Sequence, residues 1–314
     1  MTPTPMLGVL LTLAAVAVAT TAGWLIAGLA GWVIQRSWLQ ATTRATCLAQ
    51  ARLMPLTLVL VFVPAQMIGF ARFEAGGPES AGPLLIGFAM LGIAFLADAF
   101  ASGVRSWRQT QQIVRTWRKS ATPITLPAWA RRAWTIRRRF PVVAVVGILR
   151  PQLYVARQVT AACTPRELAA IAAHETAHVA AGDNLLRLLF RLTPGALIAA
   201  CVARPIERAW VIAAEEAADE SARLEDGGVE LASALTKVAR MAADAAPEPL
   251  PVSALIRGDD LEHRVRRLLE SPAEARGFRW GWISLGLAAA LAVFLQTAPV
   301  MRFLHEAFEL LVRR

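Results

Sequence analysis

Apolar residues in this chain fall into a few long blocks, with the charged residues gathered between them. From Leu7 to Ile34 no side chain is charged, a run long enough to cross a bilayer with tilt to spare. Pro55–Phe70 is a second apolar run, short for a crossing and containing Pro64 and Gln66. Pro83–Val104 is a third, closed by Arg105. A fourth, Trp280–Val300, stands before a short tail, Met301–Arg314. The pattern predicts three membrane spans, a long hydrophilic region and a last span. A cleavable leader competes for the first block, but Met1–Pro5 carries no basic residue to open one.

Charge then orients the spans. Arg36, Arg44 and Arg52 lie in what reads as a loop over 36–54, while the 72–82 connection carries Glu74 and Glu79 against Arg72 alone. Basic residues crowd the chain after residue 104. Cytoplasmic segments carry the excess of Arg and Lys, so the expectation is a cytoplasmic region over 105–279 with both termini outside. Asp98, in the third span, is close enough to its cytoplasmic end to reach the interface, and a structural role is expected.

Composition supports this picture. Of 314 residues, 56% are hydrophobic and the mean hydropathy is +0.46, beyond the range of ordinary soluble proteins. The net charge of +10 suggests nucleic acid, but the arginines flank apolar runs as in membrane proteins, so no direct nucleic-acid binding is expected. Trp107–Lys119 reads as a basic juxtamembrane helix lying on anionic lipid. Cys47, Cys163 and Cys201 are far apart and share no metal-ligand spacing, which argues against a disulfide framework.

Within 105–279 the pattern changes period. Pro141–Val146 and Gln152–Val159 are β-rich runs flanking Gly147–Pro151 and read as a hairpin. Thr164, Pro165 and Glu167 then form a capping box with Pro at the first helical position, which starts a helix. The helix is expected to stop at Gly182. Asp183 reads as the N-cap of the next helix, and Leu192–Ala203, too short to span, as a core or interfacial helix. Tyr154 reads as an ordinary strand residue.

The expected helix carries His174-Glu175-Thr176-Ala177-His178. Positions four apart share a helical face, so both imidazoles can reach one metal ion, and a carboxylate beside the first can deprotonate a water. This is the HExxH pattern of zinc-dependent hydrolases. A hydrolytic zinc also needs a third protein ligand. Glu215 and Asp219, again four apart, offer one carboxylate for the metal and another to support a ligand imidazole. His263, in a basic helical stretch, is expected to be structural, and His305 lies in the outer tail.

The order of three spans, a basic linker, the GILRPQLYV strand pair, TPRELAAIAAHETAHVAAGDN, EEAAD and a final span resembles the BlaR/MecR-type integral-membrane zinc metallopeptidases. The likeness covers most of the chain and lacks the large extracellular sensor domain of those proteins, so β-lactam sensing is not implied. It implies one zinc ion held by His174, His178 and Glu215, with Glu175 catalytic, Asp219 supporting a ligand from behind and Glu216 a bystander. It further implies a mainly α membrane protein, 1–104 and 280–314 holding the four spans and 105–279 a cytoplasmic α+β zincin-like domain. The implied partners are the bilayer and a protein or peptide substrate such as a repressor. HtpX-type membrane quality-control proteases share the HExxH and Glu-x-x-Ala-Asp elements and are the alternative. A signal transducer with little general proteolytic activity is another.

Overall fold

The computed structural model describes residues 4–73, 81–226, 228–244, 261–270, 297–303 and 306. The expected fourth span over 280–300, the acids Glu74 and Glu79, and His305 lie outside the described residues in whole or in large part. By compactness the chain forms two units. One comprises Met1–Gly103, Leu189–Trp210 and Gly277–Arg314, and the other Val104–Leu188 and Val211–Arg276.

The first unit is built on α1 (Thr4–Gln35), α2 (Ala41–Phe73) and the first part of α3 (Pro83–Arg118). All three are long and apolar enough to cross a membrane. The loop expected over 36–54 is far shorter, because α2 begins at Ala41 and takes in Arg44 and Arg52. Pro55 and Pro64 lie inside this helix without ending it.

Arg52 escaped the loop reading because it is buried, 1% exposed, rather than solvated. Its guanidinium donates to the Phe190 carbonyl at 3.0 Å, lies over the rings of Trp24 and Phe190, and stands 3.8 Å from Glu207. Asp98 has the structural role expected of it, accepting a hydrogen bond from the Leu197 backbone at 3.0 Å. The Leu192–Ala203 stretch is a turn followed by the start of α7 (Ala200–Asp226), not one helix. Its Pro194 carbonyl is held by Trp24 Nε1 at 2.9 Å. The helices of this unit approach closely: a Cβ at Gly92 would stand 2.0 Å from the Leu13 carbonyl oxygen.

The second unit is an α+β structure. Its sheet comprises β1 (Thr122–Ile124), β2 (Ala133–Ile136), β3 (Val143–Val146) and β4 (Gln152–Ala156), in the spatial order β1-β2-β4-β3. β3 and β4 form the expected antiparallel hairpin, with Val143 opposite Val155. Gly147 starts the connection at φ 111°, a conformation that favours glycine. β2 joins β4 in parallel and β1 joins β2 antiparallel. The second β-rich run stops short of Val159, since α4 (Arg157–Ala162) follows β4 at once.

Alternation along the strands gives the sheet two covered faces. Val143, Val145, Leu153 and Val155 pack with Ile171 of α5 (Pro165–Ala181) and Leu231 and Leu235 of α8 (Val229–Ala243). Ala144, Tyr154 and Ile136 pack with Trp117 of α3. Residues 107–118 are thus the continuation of α3 rather than a separate helix, and Trp117 is spent on the sheet instead of on lipid.

Helix α5 starts and stops where its residues require. Thr164 accepts from the Glu167 backbone while the Glu167 carboxylate accepts from Thr164 N–H, closing the capping box. At the other end Gly182 takes φ 74° as a left-handed cap. The Glu167 carboxylate also accepts from Ser233 Oγ at 2.6 Å and Lys237 Nζ at 2.7 Å, tying α5 to α8.

Candidate metal centre

The middle of α5, the start of α6 (Asp183–Leu192), α7 and α9 (Leu261–Leu269) together supply one buried polar cluster. His174 is 0% and Glu175 2% exposed, on a helix that also buries Glu167, His178 and the apolar Ala170, Ile171, Ala172 and Ala173. The imidazoles of His174 and His178 sit edge to face, their Nε2 atoms 3.1 Å apart. Glu215 of α7 reaches in between, Oε2 3.5 Å from His174 Nε2 and Oε1 3.7 Å from His178 Nε2. One ligand atom from each of the three lies within 4.8 Å of the others.

Behind each imidazole stands a carboxylate. Asp219 Oδ1 is 3.0 Å from His174 Nδ1, and Asp183 Oδ2 is 2.6 Å from His178 Nδ1. A ring whose Nδ1–H faces a carboxylate keeps its Nε2 lone pair for a metal, an arrangement that recurs at zinc sites. Two imidazole nitrogens and a carboxylate oxygen, buried and converging, are a donor set that fits a zinc ion with an open position.

The electrostatics run the same way. Burial works against charge on His174, but the hydrogen bonds of Asp219 and Glu215 outweigh it and its pKa is raised. His178 stands well above its ordinary value for the same reason, with Glu215 and Asp183 overcoming burial. Burial pushes Glu215 up, yet His178 and His174 hold it well below the usual carboxylate range. Such a cluster is built for positive charge, which a divalent cation supplies in competition with protons. Glu175 is the exception: burial raises it, and the pull of His178 and His174 only partly opposes that. A carboxylate so raised is a better proton acceptor than an exposed one.

The structure thus brings together every residue singled out for the centre: His174, Glu175, His178, Glu215 and Asp219. Two further residues join them. Asp183 does not serve as a cap; its carboxylate is the partner of His178. The signal was its position five residues after that histidine, since the left-handed turn at Gly182 brings the chain back against the helix end. The second is Arg264 of α9, which is buried. Its Nε and Nη2 each donate to Asp219 at 2.7 Å, and Nη1 is 3.3 Å from Glu215. The sequence hint was that Arg264 lies four before Leu268, the other buried residue of α9, and so shares its inward face.

Three residues stand apart from the centre. His263 is more than half exposed and 3.7 Å from Glu216. Glu216 itself is buried and holds Arg267 at 3.0 Å, which fastens α9 to α7. Tyr154 lies on the face of the sheet away from α5, its ring 5.3 Å from that of Trp117. The sheet order also leaves β4 no free edge at which a substrate could add as a further strand. β4 is paired on both sides, by β2 and β3. The outer side of β3 is closed at Val145, which is buried and whose carbonyl accepts from Asn184 Nδ2 at 3.2 Å.

Residues 108–246 match the model of peptidase family M48. The matched stretch takes in α5, α6, and the part of α7 that bears Glu215 and Asp219, and ends before Arg264. The match supports a metallopeptidase domain over this region, and three helices among the described residues are long and apolar enough to span a bilayer. No curated protein and no solved structure matches the chain.

Proposed function

We propose that the protein is a zinc-dependent endopeptidase, anchored in the membrane and acting at its cytoplasmic face on protein or peptide substrates. The observation that carries the reading is the convergence of His174 Nε2, His178 Nε2 and the Glu215 carboxylate within 4.8 Å, with Glu175 buried on the same helix. The match to peptidase family M48 supports the reaction class. The cytoplasmic placement rests on the arginines that follow the third span.

His174, His178 and Glu215 would hold the ion. When bound, zinc supplies Lewis acidity that polarises the scissile carbonyl and acidifies a water. Asp219 and Asp183 keep the two imidazoles in one tautomer and orientation, so that neither ring must reorganise during turnover. Arg264 in turn fixes the Asp219 carboxylate with two parallel hydrogen bonds. Glu175 accepts the proton of the attacking water and then delivers it to the departing amine, the general base becoming the general acid. Its burial excludes competing solvent.

Two finer readings follow the order of motifs. A BlaR/MecR-type regulatory role would direct the peptidase at a repressor or at itself, and an HtpX-type role at damaged membrane proteins. The deciding experiment for the reaction itself uses Glu175→Gln in the full-length protein. Casein cleavage and self-cleavage should fall by about 10²–10⁴-fold, while elemental analysis still finds one zinc per chain. Cleavage at the wild-type rate by the zinc-loaded variant would overturn the assignment.

A further inference from the structure

At one end of the sheet, where β2 and β4 begin and β3 ends, lies a groove of about 990 Å³. Four arginines line it: Arg118 at the end of α3, Arg131 and Arg132 before β2, and Arg150 in the β3–β4 turn. All four are exposed, and among the described residues no acidic side chain lines the groove and none of the four forms an ion pair. Like charges held together without counterions cost stability, and surface arginines are ordinarily interspersed with acids. Ile148 and Leu149 share the lining, and Leu149 is 94% exposed at the tip of the turn.

The groove is tied to the metal centre through neighbouring residues of the chain. Val179, which lines it, directly follows His178. Asn184, next to the Asp183 that holds His178, donates to the carbonyls of Val145 and Gly147 at 3.2 and 3.0 Å. The turn that bears Ile148, Leu149 and Arg150 is therefore pinned to the corner of the chain that positions a metal-binding imidazole.

We propose that this groove binds acidic segments of the protein substrate, ones that carry Asp or Glu beside an apolar residue, and so sets which proteins are delivered to the metal centre. The proposal rests on the peptidase reading given above. The guanidinium groups supply charge-assisted hydrogen bonds to carboxylates, and Ile148 and Leu149 supply an apolar contact. Concavity favours a polypeptide over a bilayer surface: a chain can enter a groove and meet guanidinium groups on several sides, whereas a flat sheet of headgroups meets only what protrudes. Because the arginines are exposed, attraction acts at a distance and speeds encounter, and it weakens with salt.

The test is a binding measurement, so that it does not depend on turnover. Full-length Glu175→Gln protein in phosphatidylcholine nanodiscs is titrated into a fluorescein-labelled peptide of Glu, Leu and Ser, and into one with Gln replacing Glu. The acidic peptide should bind at least about tenfold more tightly, and the difference should shrink severalfold between 50 and 500 mM salt. Combining Arg118→Gln, Arg131→Gln and Arg150→Gln should remove the preference, and the corresponding Lys substitutions should largely keep it. Equal affinity for the two peptides overturns the proposal, as does a preference that survives the triple Gln variant. If that variant instead loses only affinity for added phosphatidylserine, with peptide binding unchanged, the groove is a lipid site and the proposal fails. A peptidase reading that failed on Glu175→Gln turnover would leave these affinities as measured, so the two failures are distinguishable.

Discussion

Replacing Glu167 by Gln should weaken the second unit without touching the metal centre. The carboxylate is buried and takes three donors: the Thr164 backbone at 2.7 Å, Ser233 Oγ at 2.6 Å and Lys237 Nζ at 2.7 Å. Burial pushes its pKa up, but Lys237, Ser233 and Thr164 more than offset this and hold it at about 2. At about 1.4 kcal/mol per tenfold change in proton affinity, a group held at about 2 instead of its ordinary 4.5 contributes at most about 3.5 kcal/mol. Lys237 is 37% exposed, so solvent screening brings the expected loss to about 2 kcal/mol.

The sign follows from the depressed value. The contribution is fully present above pH 4.5 and disappears as pH falls through about 2. Denaturant unfolding of wild type and Glu167→Gln in detergent, followed by tryptophan fluorescence, should show a gap of about 2 kcal/mol at pH 7 that closes on acidification below 4.5. Lys237→Met should recover most of that loss as coupling in a double-mutant cycle. A gap under about 0.5 kcal/mol at pH 7, or one that persists unchanged at pH 3, would refute the reasoning. Zinc affinity should stay within a few-fold of wild type, because Glu167 lies two helical turns before His174.

Two further outcomes probe the centre and its surroundings. Asp183→Asn should lower zinc affinity about 10–100-fold in a chelator competition, and an unchanged affinity would show that the 2.6 Å contact to His178 does no orienting. Tyr154→Phe should leave kcat/KM within about twofold of wild type, since among the described residues its hydroxyl hydrogen-bonds only to Gln152, at 3.3 Å, and a loss beyond tenfold would place a reacting group on the wrong face of the sheet.

What was legible in the sequence was local. The capping box at Thr164 and the stop at Gly182 depend on residues within one turn of each other, so the helix that bears His174 and His178 could be bounded from its own letters. The β3–β4 hairpin was legible for the same reason. Glu215 and Asp219 were found by their spacing, because two carboxylates four apart beside an apolar run must point somewhere together. The rest depended on distant partners. β1 and β2 are three and four residues long and exist by pairing, β2 with β4 past the intervening strand β3. Arg52 looked like a loop residue because only folding supplies its carbonyl, rings and carboxylate. Arg264 was hidden in a run of arginines that differ in which way each faces, and Asp183 satisfied a capping rule while its side chain turned to His178.

The division of the chain into Met1–Gly103 with Leu189–Trp210 and Gly277–Arg314, and Val104–Leu188 with Val211–Arg276, has a practical consequence. A truncated chain of residues 105–279 would not be a self-sufficient peptidase. It would carry Leu189–Trp210 with the groups those residues depend on removed: Trp24, which holds the Pro194 carbonyl; Asp98, which holds Leu197; and Arg52, which holds Phe190. Twenty-two orphaned residues, most of them apolar, would then seek other partners, and such a fragment is expected to aggregate. A soluble form calls for a short polar linker in place of residues 189–210, joining Leu188 to Val211. The protease and its anchor were not assembled like beads on a string, and they cannot be separated with a single pair of cuts.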